Sequence, residues 1–103
     1  MKYRIKEIEV LRHPVVKVTF DDGLAGEYDL SDWIATDRIA QVLKDTRRFA
    51  QVEIGPEGRS FGWNLGEAGH EIDLCSDAVR IKIETDLVER MASDYAASRT
   101  AAE

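Results

Sequence analysis

The chain has 103 residues and a net charge of −6, from 20 acidic and 14 basic residues. This length gives room for one domain with a core. The acidic balance disfavours long-range attraction to a phosphate backbone and fits a basic partner or plain solubility. Its single cysteine excludes an internal disulfide framework and indicates a reducing compartment. The N-terminal stretch has no signal-peptide core and no window approaches membrane-spanning length, so we expect a cytoplasmic protein.

The first predicted element is a strand at residues 6–11. Ile8 and Val10 alternate with charged residues and should face inward. Ile5 is out of phase with them, which indicates a bulge or an irregular start. Residues 12–14 then turn the chain into a hairpin.

This hairpin covers residues 15–30, and its register follows from the alternation of apolar and polar residues. A two-residue loop would place Val18 opposite Glu27, which buries a carboxylate. A three-residue loop at 21–23 pairs apolar with apolar residues, and Gly23 can take the left-handed conformation that such a loop needs. The pairs it predicts are Phe20 with Leu24, Val18 with Gly26, Val16 with Tyr28 and Lys17 with Glu27.

Two helical segments are predicted after the hairpin. Ser31 or Asp32 can cap a short turn, and Thr36 or Asp37 can cap the helix that follows. The short turn carries Trp33 and Ile34. The helix carries an apolar face at i, i+3, i+4 spacing, formed by Ile39, Val42 and Leu43.

A second hairpin and a last strand complete the predicted sheet. A four-residue loop at 55–58, with Pro56 fixing the turn, would bring the apolar residues of both strands together. The pairs it predicts are Ile54 with Arg59, Val52 with Phe61 and Ala50 with Trp63. A short strand at 71–74 would extend the sheet.

The C-terminal segment fits two periodicities. Val79, Ile81 and Ile83 alternate like a strand, yet an i+4 series also runs through it. That series is Val79, Ile83, Leu87, Met91 and Tyr95. We favour a strand or irregular segment to residue 83, then a helix over 86–97 with Asp86 and Glu89 as a capping pair, and a frayed tail over 98–103.

The elements together predict a single α+β domain. Its sheet part covers residues 1–84, with a small antiparallel sheet of two hairpins plus an extra strand and one short helix between the hairpins. Residues 85–103 add a C-terminal helix and its tail to the same domain.

Several short motifs resemble a bacterial family known as domain of unknown function 2442. They are an F-x-D-G hairpin, an acid-Leu pair after it, a helix with Leu and then Phe, and a Trp strand before a D-L turn. The similarity covers residues 5–80. The positions that carry it are Phe20, Asp22, Gly23, Asp29, Leu30, Leu43, Phe49, Trp63, Asp73 and Leu74. This chain departs from the family's pattern by the insertion GEAGH, at residues 66–70, and by a charged helical tail.

The resemblance implies a binding role and no catalytic residue. Members of the family are often encoded beside a second small protein in pairs that look like toxin–antitoxin modules, and some carry a helix-turn-helix. This chain has too few residues after its sheet for such a DNA-reading unit. We therefore expect an antitoxin-like or regulatory partner of another small protein, basic and encoded nearby, with a homodimer as the alternative and no direct nucleic-acid binding.

The candidate partner-binding residues are one tryptophan and one helical stripe. Trp33 lies in a predicted loop, where an exposed ring could anchor a partner. The C-terminal stripe of Leu87, Val88, Met91 and Tyr95 could dock on its own sheet, which we favour, or present its apolar side to another chain. The candidates are Trp33, Leu87, Met91 and Tyr95.

Three other groups of residues could form a site for phosphate, metal or catalysis, but each can also be an ordinary set of surface or structural residues. The basic patch of Arg38, Lys44, Arg47 and Arg48 could hold phosphate or an acidic partner, although a solvated helix face is the default. His70, Glu71 and Asp73 could ligate a metal or serve a ligand cleft, but their spacing matches no ligand pattern, so we expect no metal and no cofactor. Cys75 is interpreted as a structural residue, and no nucleophile and base stand at recognisable spacing.

Overall fold

The computed structural model describes residues 2–102, with side chains through residue 99. Over this part, six strands, three α-helices and two 3-10 turns follow one another. In chain order they are β1 (Ile5–Arg12), β2 (Val15–Phe20), β3 (Ala25–Asp29), α1 (Ser31–Thr36), a 3-10 turn (Ala40–Lys44), α2 (Thr46–Phe49), β4 (Glu53–Ile54), a 3-10 turn (Pro56–Gly58), β5 (Ser60–Trp63), β6 (Ile72–Cys75) and α3 (Ser76–Ala102).

The strands form two antiparallel sheets, so the α+β class is confirmed. The first sheet has the order β1-β2-β3 and the second the order β4-β5-β6. The single sheet expected from the sequence is thus divided, because the segment between β3 and β4 turns away as short helices. Tyr28 of the first sheet meets Phe61 of the second edge to face, with ring centroids 6.1 Å apart.

The register of the first hairpin is confirmed. Val18 pairs with Gly26 and Lys17 with Glu27, as predicted. Gly23 has a φ of 93°, the left-handed conformation expected for the last loop residue. The bulge expected near Ile5 is also present, since the pairing of β1 with β2 shifts between Ile5 and Glu7.

The helical region between the sheets is shorter and tighter than predicted. Asp29, and not Ser31 or Asp32, supports the start of α1, because its Oδ1 accepts a hydrogen bond from Ser31 N at 2.8 Å. Asp37 caps the next turn as expected, accepting from the amides of residues 39 and 40.

The predicted helix with Ile39, Val42 and Leu43 on one buried face is wrong. Only a 3-10 turn forms there, because Asp45 takes an extended backbone and caps α2 by accepting from Arg47 N. The three residues per turn of a 3-10 helix bury Ala40 and Leu43 together. Ile39 and Val42 therefore remain exposed.

The predicted register of the second hairpin is also wrong. Ile54 pairs with Phe61 and not with Arg59, so the register is shifted by two residues while each strand keeps the same inward face. The loop is displaced because Glu57 and Gly58 both have positive φ angles. Gly58 packs on the backbone of Ile5, where an added Cβ would come within 2.4 Å of the Ile5 carbonyl oxygen. This contact joins distant segments, so local pattern could not reveal it.

The C-terminal segment is one helix, which corrects the strand or irregular segment predicted up to residue 83. α3 begins at Ser76, well before the expected start at Asp86. Ser76 fixes this start, since its Oγ donates a 2.6 Å hydrogen bond to the carbonyl of Tyr3. Residues 98–102, expected to fray, continue the helix, and Glu103 lies outside the described residues.

The core lies between the two sheets, the short helices and the first half of α3. Trp63 is central, and its indole Nε1 donates to the Phe49 carbonyl at 2.9 Å. The radius of gyration is 15.7 Å, against about 13 Å for a compact chain of this length. The excess reflects α3, whose distal half leaves the body. The largest fully buried side chains are Trp63, Phe20, Phe49, Phe61, Leu30, Leu43, Ile83, Val16, Val18 and Val79.

Candidate interaction surface

One face of α3 docks on the body. Val79 and Ile83 are buried and Leu87 is half-buried against the same core, at i, i+4, i+8 spacing. Gly26 of β3 makes room for this face, because a Cβ at that position would lie 2.5 Å from Cγ2 of Ile83. The prediction that the C-terminal stripe docks on its own sheet holds only for Leu87, and it is wrong for Val88, Met91 and Tyr95, which are exposed.

An arginine clamp fixes this docked half to the first hairpin. Arg80 is 8% exposed and contacts both carboxylate oxygens of Asp22 at 2.9 Å. It also pairs with Glu84 one turn further along, and its guanidinium lies over the ring of Tyr3 at 4.3 Å from the centroid. The hydrogen bonds from Arg80 are the main reason that the pKa of Asp22 is lowered, and they raise the pKa of Arg80.

The carboxylates of Asp77 and Asp86 lie on the same docked half of α3. Asp77 accepts hydrogen bonds from the amides of Lys2 and Tyr3, and these lower its pKa. Asp86 forms an exposed ion pair with Lys82 at 3.1 Å, and this hydrogen bond raises the pKa of Lys82. The first pair ties the N-terminal segment to α3, whereas the second lies at the surface.

The side of α3 that faces away from the body carries an apolar stripe. Ile81, Val88 and Tyr95 recur every seven residues, which keeps them within about 20° per repeat on one line of the helix. They are 64–65% exposed, and Met91 beside them is 70% exposed. We call Ile81, Val88, Met91 and Tyr95 the outer stripe. A shallow depression of about 320 Å³ lies along its first turns, between Ile81 and Val88.

The outer stripe and the docked face lie on opposite sides of one helix. Each residue advances about 100° around the axis, so Ile81 and Ile83 point about 160° apart. Their exposed fractions are 65% and 1%. From residue 88 onward every described side chain is exposed, and at 1.5 Å per residue this projecting half is about 22 Å long.

The predicted partner-binding residues divide between these surfaces. Met91 and Tyr95 lie on the outer stripe, and Leu87 lies on the docked face. Trp33 is half-buried, with its ring centroid 6.4 Å from that of Trp63, so only part of the ring is open to a partner. Sequence reasoning included Val88 in the C-terminal stripe but missed Ile81 as an exposed residue of the same line, although the seven-residue spacing was visible.

The other candidate residues are not brought together into a chemical site. His70, Glu71 and Asp73 are exposed, and within residues 2–99 no group of three or more His, Cys, Asp or Glu side chains could hold a metal ion. The basic patch is exposed, with Arg38 before the 3-10 turn, Lys44 at its end, and Arg47 and Arg48 on α2. Cys75 is half-buried at the end of β6.

A groove of about 610 Å³ lies between α3 and the first sheet. It is lined by charged residues of both signs, including Lys17, Glu27 and Arg90, beside Ile83 and Leu87. None of His70, Glu71 and Asp73 lines it, so the ligand cleft predicted near His70 and the groove are separate places. No described helix combines the length and apolarity needed to cross a membrane.

Comparisons of the chain with protein-family models, with curated proteins and with solved structures found no match. The resemblance to family 2442 therefore depends on its motif residues alone. In the structure these residues serve the fold. Asp22 and Gly23 form the hairpin loop, Asp29 supports the start of α1, and Phe49 packs 5.5 Å from Trp63 between ring centroids.

Proposed function

We propose that this chain is a non-enzymatic protein-interaction module whose contact surface is the outer stripe of α3. The observation that carries the proposal is the exposure of four large apolar side chains on one side of α3, which run from the docked half onto the projecting half. Single exposed apolar residues are ordinary on protein surfaces, but this stripe is 64–70% exposed among the described residues, even with the Arg99 guanidinium 5.9 Å from the centroid of the Tyr95 ring. An amphipathic helix of this kind is a common means of recognising another protein.

The energetics of the projecting half support the same proposal. The described side chains of residues 88–99 are all exposed, and an isolated helix of 12–15 residues is only marginally stable in water. Packing of an apolar face on another chain would supply the missing stabilisation. Catalytic groups must be held rigidly by packed elements, and the projecting half of α3 is not packed on the body. The projecting half therefore fits an interaction module better than an enzyme.

The resemblance to family 2442 and the net charge favour a module that acts as an antitoxin-like or regulatory partner of another small bacterial protein, located in the cytoplasm. A basic partner suits the net charge of −6, since Glu84 and Glu89 flank the depression beside Ile81 and Val88. A ligand-binding role in the groove is second, because the groove volume falls in the range of small-molecule sites.

The experiment that tests the proposal compares two aspartate variants of the full chain. Val88→Asp places a charge within the outer stripe, whereas Ala97→Asp places the same charge on an exposed position about 180° away around the helix. Tagged wild type and both variants are recovered from their own cell lysate. Light scattering measures the molar mass of each recovered complex, and mass spectrometry identifies the proteins in it. We expect wild type and Ala97→Asp to be recovered in a complex of fixed ratio, with itself or with another protein, and Val88→Asp as a monomer.

Two outcomes contradict the proposal. The first is a wild type that is recovered alone and monomeric. The second is a complex that Val88→Asp retains as fully as Ala97→Asp does, because the contact would then lie elsewhere. Thermal unfolding of both variants is the control for folding, and we expect both to match the wild type because neither side chain touches the core.

A further inference from the structure

The outer stripe belongs to a seven-residue repeat with two different kinds of position. Large apolar residues occupy one position of the repeat, at Ile81, Val88 and Tyr95. Three residues before each of these, a second position is occupied by small residues, at Ala78, Thr85 and Ala92. All six side chains are exposed. A seven-residue spacing of this kind is the pattern of a helix that packs along another helix.

We propose that the partner that fits this surface is a second copy of the chain, with the two α3 helices packed antiparallel along their outer stripes. This inference rests on the proposed function and names the partner of the same surface. The second copy takes the place of the basic partner that the net charge favours, because Lys82 and Glu89 make the two edges of the stripe complementary in charge. In the register that we propose, Thr85 packs against Val88 of the second copy. The two neighbouring layers pair Ala92 with Ile81 and Ala78 with Tyr95 of the second copy.

The volumes of the side chains select the antiparallel orientation. In that arrangement every layer joins one small and one large residue, so the layers are similar in volume along the interface. A parallel pair would stack small on small, as Ala92 on Ala92, and large on large, as Tyr95 on Tyr95. The first kind of layer leaves a void and the second is overfilled, and both are unfavourable.

The charges beside the stripe select the same orientation and fix the register. Antiparallel packing with Thr85 against Val88 brings Lys82 beside Glu89 of the second copy, and the two-fold symmetry forms this pair twice. Parallel packing would instead place Glu84 beside Glu89 of the other helix. A shift of the antiparallel pair by one repeat would place Glu89 against Glu89. Like charges oppose both alternatives.

The geometry of the chain leaves room for this dimer. The docked face lies on the opposite side of α3 from the stripe, so the two bodies lie outside the helix pair. Lys82 keeps a side-chain exposure of 49% in its ion pair with Asp86, and it can turn toward a second copy. The interface is short, with about two and a half repeats, so we expect reversible association in the micromolar range. A heterologous partner would compete with the second copy for the same stripe.

The test is sedimentation equilibrium of the full chain over a concentration series that spans the micromolar range. We expect the wild type to pass from monomer to dimer, and Ala97→Asp to do the same. Val88→Asp should stay monomeric, since the substitution raises the dissociation constant by at least ~100-fold when a carboxylate meets the apolar layer.

Charge exchange tests the orientation and the register. Lys82→Glu and Glu89→Lys each turn both predicted ion pairs into like-charge pairs, and each should weaken the dimer by about tenfold. An equimolar mixture of the two single variants pairs glutamates of one copy with lysines of the other at both places. The mixture should therefore form a heterodimer about as tight as the wild type.

Three results would overturn the inference. They are a monomeric wild type throughout the series, an equal loss in Val88→Asp and Ala97→Asp, and a mixture that associates no better than its single components. A monomeric wild type that retains another protein from its lysate, when Val88→Asp does not, would exclude the second copy and leave the proposed function intact. A wild type that is monomeric and retains nothing would overturn both.

Discussion

The two halves of α3 are chemically similar but differ in what covers them. Residues 76–87 bury Val79 and Ile83 and hold Arg80 in a clamp, whereas every described residue from 88 to 99 is exposed. Both halves combine apolar residues with many charges, so composition does not separate them. The difference is set by the body, because Gly26 opens a space for Ile83 and Leu87 is the last described residue of α3 that packs against the core. The projecting half therefore has an apolar stripe without a covering surface.

The largest expected effect compares two isoleucines of the docked half. Ile83→Ala should lower the free energy of unfolding by about 3 kcal/mol, because it removes a fully buried side chain and leaves a cavity. Ile81→Ala, two residues away and 65% exposed, should change it by no more than about 0.5 kcal/mol. Urea unfolding of both variants, below the concentration at which the chain associates, measures the difference. Equal losses would mean that the face of the helix has been assigned wrongly.

The next effect concerns the contact that allows α3 to dock. Gly26→Ala should cost about 2 kcal/mol, because the new methyl group would overlap Cγ2 of Ile83. Gly66→Ala is the matched control, since an added Cβ there has no neighbour within 4 Å. Combining Gly26→Ala with Ile83→Ala should cost less than the sum of the two single changes, because the shared space is relieved. Simple additivity in chemical denaturation would contradict this packing.

A smaller effect is expected from the arginine clamp. Arg80→Met keeps an apolar stem but removes the charged hydrogen bonds to Asp22 and Glu84, and it should cost about 1–2 kcal/mol. Lys82→Met removes an exposed ion pair of the same helix and should cost no more than about 0.5 kcal/mol. Thermal and urea unfolding distinguish these two results. If both variants lose the same amount, the clamp is no more important than a surface pair.

The smallest expected effect is a pH dependence that passes through Asp22. Its pKa in the folded chain lies below the ordinary value of 3.8, so its carboxylate stabilises the fold above that pH and the contribution is lost as pH falls through the folded pKa. Asp22→Asn keeps a side-chain acceptor for the amide of Leu24 but no titrating group. We expect the stability difference between wild type and Asp22→Asn to be largest near pH 7 and to shrink toward about pH 3. A constant difference over this range would contradict the linkage.

Local pattern was sufficient for the first hairpin and insufficient for the second. In residues 15–30 the alternation, the charge pair and Gly23 all favour one register, and the structure has that register. In the second hairpin the register depends on Gly58 packing against Ile5, a contact between segments far apart in sequence. The 3-10 turn at Ala40–Lys44 likewise results from the cap at Asp45.

The outer stripe of α3 was predicted only in part, again because burial depends on contacts between segments that are far apart in sequence. Val79, Ile81 and Ile83 fit a strand and a helix equally, and only the space beside Gly26 determines that Ile83 is buried and Ile81 is not. Tyr95 and Met91 were predicted as contact residues because helical spacing is local. Arg80 could not be recognised as a buried clamp, since an arginine between two apolar residues is typical of a solvated position.

Hydrogen exchange of the amides of residues 88–99 tests most directly whether the outer stripe of α3 is covered by another chain. The exchange of wild type, Val88→Asp and Ala97→Asp is followed at high protein concentration and again after dilution. We predict that wild type and Ala97→Asp are protected at high concentration and lose protection on dilution, while Val88→Asp exchanges rapidly at both, because an uncovered helix of this length is marginal in water. If the exchange rates depend neither on protein concentration nor on the residue at position 88, the outer stripe is not covered by another chain.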